Sequence, residues 1–325
     1  MSKPATYSLG VDLGGTKILA IIVDRRNRIL ARAKADTPIA TGVEAICARI
    51  KAVADQATAQ AQIAPDQVVN IGVAIPASVD PATGDALHAP ALGWRNQPVR
   101  PTLEALFGRP VALENDVNCG TLAAARAGVA RDCHCVAGYF LGTGLGGGIV
   151  IGGHLHSGRK GAAAEFGHEI IRAGGRRCGC GKRGCVEAYA SKTAFCRRFD
   201  KLIRKRHRES LLTELTGNDF SQGIKSSALR RAYLAGDEVT REVLHEGMKM
   251  LGIACANLMS ILGPDCIVLG GGVFEALGKE LFPVVVKSAQ KHLFAYAPED
   301  LDLRLAMLGD DAVPLGAALI ARDGP

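Results

Sequence analysis

Long apolar runs are missing from this chain of 325 residues. No stretch approaches the roughly 20 apolar residues that a membrane-spanning helix requires. The opening segment MSKPATYSLGVD lacks the apolar centre of a secretory signal, so a cytoplasmic protein without membrane contact is expected. Aromatic residues are scarce, at 5%, with a single tryptophan, and no aromatic side chain interrupts the basic run KLIRKRHRE from Lys201 to Glu209. Without aromatics to stack on bases, and without a recognition motif, that run reads as a solvated helix face; a nucleic-acid partner is not expected. Low-complexity segments and short-period repeats are absent as well, which excludes solenoids and linker arrays. The chain also has no GxxxxGK[ST] loop and no dinucleotide fingerprint followed by its acidic residue.

What is present is glycine, 39 of them in a chain that is 48% hydrophobic, a composition suited to a compact α/β protein. The length exceeds one ordinary core and predicts two lobes. The formal charge is +7, from 39 basic and 32 acidic side chains, a bias that favours anionic substrates such as nucleotides. Ten cysteines are scattered from Cys47 to Cys266, and seven of them sit among apolar or helix-forming residues as small hydrophobes rather than as a disulfide framework.

The other three cysteines are clustered. The stretch EFGHEIIRAGGRRCGCGKRGCVE, from Glu165 to Glu187, holds His168, Cys178, Cys180 and Cys185, a Cys3His set that suits a four-coordinate structural Zn2+. Gly179, Gly181 and Gly184 let the backbone fold tightly enough to converge three sulfurs. Glu165 and Glu187 flank the set, and two carboxylates held beside a rigid metal loop suit hydrogen bonding to a polyol.

Segment by segment, YSLGVD, KILAIIVD and ILARAK predict an antiparallel meander, followed by a helix from about Val43 to Gln60 with Ile46, Ile50, Val53 and Ala57 on one face. VVNIGVAIP and VALEND read as buried strands, the second running into a helix over 117–128. HCVAGYFLGTGLGGGIVIGG reads as two strands about a glycine hairpin. Helices are expected from Ser191 to about Leu262 with a break at Gly217–Gly223, and CIVLGGGVFEAL and LRLAMLGDDAVPLGAALIAR each supply a strand and a helix. The polar, glycine-rich strand ends are expected to line a cleft between the lobes.

Three glycine turns are candidates for phosphate binding: Asp12 to Lys17, Gly142-Thr143-Gly144 with Gly146 to Gly148, and Gly270-Gly271-Gly272. Glycine lets backbone N–H groups approach phosphate oxygens, and Thr16 and Thr143 add hydroxyls. The first turn alone is equally compatible with a plain hairpin. Asp116, in Glu114-Asn115-Asp116-Val117-Asn118, has two readings: a helix cap, or a general base that takes the proton of an attacking substrate hydroxyl.

In their order along the chain, DLGGTK, ENDVN, GTGLGGG, AAEFGH, CGCGKRGCVE and LGGG resemble the bacterial ROK sugar kinases. That resemblance implies an α/β, two-lobed actin-like ATPase (ribonuclease H-like) fold with the zinc-binding loop in the larger lobe. The small lobe would be residues 1–118 completed by 310–325, and the large lobe 119–309. It implies ATP and Mg2+ as cofactors, with Asp12 positioning the metal–nucleotide complex and Gly14, Gly15, Thr16, Lys17, Gly142, Thr143 and Gly144 near the phosphates. Gly271 and Gly272 would lie near the adenosine. Asn115, Glu165, His168, Glu187 and Ser78 would bind the sugar, His168 using one ring nitrogen for zinc and the other for a hydroxyl, and Asp116 would be the base. The implied reaction is phosphorylation of the 6-hydroxyl of glucose by a homodimeric glucokinase. Fructose, mannose, N-acetylglucosamine and N-acetylmannosamine are the alternative acceptors, because Ala77 and Ala91 stand where many members carry glycine and asparagine. The family also contains transcriptional regulators with an additional DNA-binding segment, and a sugar sensor without turnover is a further alternative.

Overall fold

The computed structural model describes residues 6–323. In chain order its strands and helices are β1 (Tyr7–Leu13), β2 (Lys17–Val23), β3 (Ile29–Asp36), α1 (Val43–Gln60), β4 (Val68–Ile75), β5 (Ser78–Val79), β6 (Ala86–Ala89), β7 (Trp94–Gln97), α2 (Val99–Phe107), β8 (Ala112–Asn115) and α3 (Asp116–Ala127). They continue as β9 (Cys135–Leu141), β10 (Leu145–Ile151), β11 (His154–Leu155), α4 (Lys192–Phe199), α5 (Leu212–Thr216), α6 (Ser226–Leu234), α7 (Glu238–Ile261), β12 (Cys266–Gly270), α8 (Gly272–His292), β13 (Leu303–Leu305) and α9 (Ala312–Asp323). Two compact units divide the chain: Met1–Arg131 with Gly148–Ala163 and Leu308–Pro325, and Asp132–Gly147 with Ala164–Met307. Residues 1–5 and 324–325 lie outside the described residues.

In the first unit the expected meander is present, and the sheet order is β3-β2-β1-β4-β8. β1 pairs antiparallel with β2 and parallel with β4, and β4 pairs parallel with β8. The α/β class and this order are those of the ribonuclease H-like, actin-like ATPase fold expected from the sequence. β1 and β2 are buried along nearly their whole length, as their near-continuous apolar sequence requires. On one face α1 packs Ile46, Ile50, Val53 and Ala57 into the core with Leu9, Val11 and Val73. On the other face α9 approaches so closely that two strand residues must be glycine. A Cβ on Gly10 would fall 1.8 Å from the Pro314 carbonyl oxygen, and one on Gly72 would fall 1.8 Å from that of Ala317. Gly316 of α9 meets α3 in the same way, 1.8 Å from the Cys119 carbonyl oxygen. A small sheet, β5-β6-β7, lies outside the sequence reading because its strands have only two to four residues and are separated by proline and glycine turns.

The second unit is built on β9, β12 and β13, all parallel. Its core joins Tyr139, Leu141, Ile267 and Leu269 to Phe195 and Phe199 of α4, Leu251 and Cys255 of α7, and Leu281 and Val285 of α8. The basic run departs from the expected regular helix. After α4 the backbone makes a π-helical turn over Asp200–Arg204 and then leaves helical geometry, with His207 at φ 53°. Adjacent cations repel one another, while Leu202 and Ile203 remain anchored in the core. No described helix is long and apolar enough to cross a membrane.

Candidate functional site

Parallel pairing within the first unit brings three chain segments level at one sheet edge. Asp12 lies opposite Ala74, Ala74 opposite Glu114, and Ile75 opposite Asn115. The carboxyl ends of β1, β4 and β8 therefore present Asp12, Ala77 with Ser78, and Asn115 with Asp116 together, the edge at which open α/β sheets bind ligands. Asn115 holds this edge in shape. Its Oδ1 accepts the N–H groups of Val117 and Asn118 at 2.9 and 3.2 Å, and its Nδ2 donates to the Ala77 carbonyl at 3.2 Å. The helix-capping role considered for Asp116 thus belongs to Asn115. Glu114 braces the same turn, accepting from the Asn115 N–H at 2.7 Å and from Asn118 Nδ2 at 2.9 Å.

Asp116 is the first residue of α3, and its Oδ1 accepts the Val117 N–H at 2.9 Å. Burial pushes its carboxyl up to about 6, against the lowering pull of those backbone hydrogen bonds. Asp12 is pushed further, to about 7, first by burial and then by the charge of Asp116, with Lys17 pulling the other way. Two acids that disfavour each other's ionisation beside a glycine turn form a place where a cation is welcome. That turn closes through Gly14 N–H to the Lys17 carbonyl at 2.9 Å and is tied down by the Thr37 hydroxyl donating to the Gly14 carbonyl at 2.8 Å. Thr16 is exposed, and Lys17 Nζ reaches Asp310 at 2.5 Å. A Cβ on Gly15 would stand 3.6 Å from Ala91, so Ala91 borders the phosphate-turn candidate.

In the second unit the glycine turns are also level. Gly270 pairs with Phe140, and a Cβ on Gly271 would lie 2.6 Å from the Leu141 carbonyl oxygen, so the turn Gly142-Thr143-Gly144 and Gly271-Gly272 are neighbours. Gly142 N–H closes on the Gly144 carbonyl at 2.9 Å. Two side chains missed by sequence reasoning join them. Lys192 Nζ and Ser226 Oγ lie 3.6 and 3.5 Å from where a Gly272 side chain would begin, at the first turn of α8. Burial lowers the Lys192 ammonium, and Ser226 Oγ is buried without a hydrogen-bond partner among the described residues. A lysine, a free hydroxyl and a helix N-terminus suit an anionic group. Nothing local in the sequence signals these two residues, because tertiary packing alone brings them there.

The Cys3His set comes together as expected: one donor atom from each of His168, Cys178, Cys180 and Cys185 lies within 4.8 Å of every other. Cys178 Sγ is 3.7 Å from His168 Nδ1, and Cys180 Sγ is 3.7 Å from Cys185 Sγ. Tetrahedral bonds of about 2.3 Å to sulfur and about 2.0 Å to nitrogen give edges of roughly this length, so the donors fit zinc. Local backbone explains the convergence. Cys178 N–H donates to the Lys182 carbonyl at 2.9 Å, Gly181 and Gly184 both sit at φ 89°, and Val186 N–H ties back to the Glu169 carbonyl at 3.0 Å. A Cβ on Gly167 would lie 1.9 Å from the Leu145 carbonyl oxygen, which presses the His168 turn onto the start of β10. Nδ1 faces the sulfurs, and the other ring nitrogen is left for a second partner. Glu187 Oε1 is 3.4 Å from Cys178 Sγ, and its Oε2 accepts the Leu145 N–H at 3.1 Å. Glu165 is exposed and precedes the single turn that carries His168.

Phosphate-type glycine turns, a carboxylate pair and a Cys3His loop on an actin-like ATPase fold define a class, and comparison with known proteins identifies it. The chain belongs to the ROK family, whose family model matches residues 8–324. It is 33% identical over 318 residues to a glucokinase of Streptomyces coelicolor, covering 97% of this chain and 98% of that protein. An N-acetyl-D-glucosamine kinase of Pasteurella multocida is 30% identical over 331 residues, covering 96% and 98%. Among solved structures, a ROK family glucokinase from Streptomyces griseus in complex with glucose and AMPPNP superposes with a TM-score of 0.82 at 34% identity, covering 98% of this chain and 100% of that one.

Proposed function

We propose that this protein is an ATP-dependent sugar kinase that phosphorylates the 6-hydroxyl of glucose. The observation that carries the reading is the placement of Asp116 at the end of β8, held by the helix it opens and facing the same sheet edge as Asp12 and the first glycine turn. The glucose and AMPPNP named for the Streptomyces griseus structure support both substrates.

In this reading Asp116 orients the attacking hydroxyl and receives its proton as the bond to phosphorus forms. A loose phosphoryl-transfer transition state needs that proton late, so orientation matters more than basicity. Asp12 is the carboxylate that would hold Mg2+, which neutralises phosphate charge when bound. Gly14, Gly15, Thr16 and Lys17 in the first unit, and Gly142, Thr143, Gly144, Gly271 and Gly272 in the second, supply N–H and hydroxyl donors to the nucleotide. Lys192 and Ser226 are added to that set. Ser78, Asn115, Glu165, His168 and Glu187 bind sugar hydroxyls. His168, Cys178, Cys180 and Cys185 would hold a structural Zn2+, which would anchor the His168 ring beside Glu187. In this reading the two units stand for the two lobes, with residues 119–131 and 148–163, expected in the large lobe, grouped with the first unit, and the family resemblance supports a homodimer.

A second acceptor class is favoured by one feature. Ala91 is smaller than the asparagine that many members carry at that position, and the N-acetyl-D-glucosamine kinase relative supports an N-acetylated acceptor. The deciding experiment is ADP release by the zinc-loaded protein with MgATP and a panel of glucose, mannose, fructose, glucosamine, N-acetylglucosamine and N-acetylmannosamine. Preference for glucose is expected. Preference for an N-acetylated sugar would transfer the assignment to the second class, and silence on every sugar would overturn the kinase reading.

A further inference from the structure

Behind the metal loop the second unit carries an open cavity of about 620 Å³ whose lining includes Arg176, Arg177, Arg197, Arg198 and Lys201, with no carboxylate. Cys178, Gly179, Ala188 and Ala194 complete the lining. The cations are of two kinds. Arg176 and Arg198 are braced from outside the lining. Arg176 Nη2 pairs with Glu246 at 2.6 Å and its guanidinium stacks over Tyr189 at 4.8 Å, while Arg198 pairs with Glu242 at 3.1 Å. Arg198 Nε also lies 3.6 Å from Glu246 Oε2. Arg177, Arg197 and Lys201 form no ion pair or side-chain hydrogen bond among the described residues. Five like charges converge on one cavity, and only two of them are offset by carboxylates. Arg177, Arg197 and Lys201 are exposed, so an anion entering the cavity would meet them with no carboxylate of the lining competing.

We propose that this cavity is a binding site for a phosphorylated small molecule, separate from the residues assigned to catalysis. Guanidinium forks held by carboxylates and an aromatic ring are preorganised for bidentate contact with phosphate oxygens. The volume falls in the range of small-ligand pockets, and no lining residue is aromatic, so nothing is offered on which a nucleobase strand would stack. Helix α4 connects the site to the rest of the unit. Its last turn carries Arg197 and Arg198, while at its start Lys192 N–H donates to the Gly142 carbonyl at 3.0 Å and the Thr193 hydroxyl to the Thr143 carbonyl at 2.9 Å. An occupant would therefore bridge the metal loop to the helix that clasps a glycine turn.

The test is calorimetric titration of the zinc-loaded protein, without added Mg2+, using tripolyphosphate, pyrophosphate and glucose 6-phosphate as probes. The comparison is between wild type, the double variant Arg197→Ala/Lys201→Ala and the charge reversal Arg197→Glu. These side chains are exposed, so zinc content and circular dichroism should be unchanged. The expected result is binding that weakens about tenfold or more in both variants and falls with added salt, with sugar turnover unchanged. Tightest binding of glucose 6-phosphate would identify a phosphate monoester as the occupant, and tightest binding of tripolyphosphate a phosphate chain. Equal affinities in wild type and variants, or no binding to wild type, would overturn the proposal. Binding is read without catalysis, so failure of the kinase assignment would be seen separately.

Discussion

Glu187 joins two structures with one carboxylate: Oε2 accepts the Leu145 N–H at 3.1 Å, and Oε1 lies 3.4 Å from Cys178 Sγ. It does so only because residue 144 is glycine. A Cβ there would stand 2.6 Å from Glu187 Oε2. That oxygen is the far end of a flexible side chain, so Gly144→Ala should displace Glu187 rather than the backbone. The expected outcome is a rise of about tenfold in sugar KM with a stability change within about 1 kcal/mol, since no core packing is disturbed. Steady-state kinetics alongside thermal unfolding measure both. An unchanged sugar KM would remove Glu187 from the sugar site.

Asp116 has its carboxyl raised to about 6 by burial, and the proposed chemistry needs it ionised. At saturating Mg2+, which would keep Asp12 ionised, turnover should therefore fall as pH drops through about 6 and level off above it. Asp116→Asn should keep the fold and zinc while lowering kcat by about 10²- to 10⁴-fold. It should also remove the acid limb from the pH profile. Retention of that limb in the variant would assign the titration to another group.

Asp12 contributes oppositely to stability and to function. Its folded value of about 7 lies above the ordinary 3.8, so between these values the folded state holds a proton that the unfolded state has lost. Stability from this group is thus present at low pH and is lost as pH rises toward 7. At neutral pH and above, the nucleotide-free protein bears a buried carboxylate that disfavours folding, and Asp12→Asn should raise the unfolding free energy by an amount on the order of a few kcal/mol. The same change should abolish turnover. Urea unfolding at pH 5 and pH 8 checks the sign: the gain over wild type must be larger at pH 8.

Much of this organisation was legible from residue patterns. Val43–Gln60 forms one helix because its apolar residues recur at helical spacing, and β1 to β3 pair because β-rich runs alternate with short turns. The Cys3His set was legible because its ligands lie within eighteen residues of one another and glycines separate them. Other features depend on contacts distant in sequence. Lys192 and Ser226 reach the start of α8 only through packing of three helices, and Gly10, Gly72 and Gly316 look ordinary until α9 is laid against them. Asn115 and Asp116 show the limit of local reading: either could cap α3, and only the hydrogen bonds of Asn115 to Val117 and Asn118 decide between them.

The metal loop provides the last separation of roles. Cys180 is the exposed member of the set, yet its sulfur lies 3.7 Å from that of Cys185, so Cys180→Ser should remove one zinc ligand without opening the apolar contacts of Cys178, Cys185 and Tyr189. Zinc affinity should fall steeply, by roughly 10²-fold or more, since a hydroxyl is a poor substitute for a thiolate. His168 and Glu187 are positioned by the loop, whereas Lys192 and Gly142 are held by α4 and the glycine turn, tied through the Lys192 N–H to the Gly142 carbonyl. Sugar affinity should therefore decline before nucleotide affinity does, in the variant and in wild type stripped by a chelator. Metal analysis with parallel titrations of glucose and of a nucleotide analogue distinguishes the two losses. Equal loss of both ligands would mean that the loop supports the whole second unit rather than the sugar side alone.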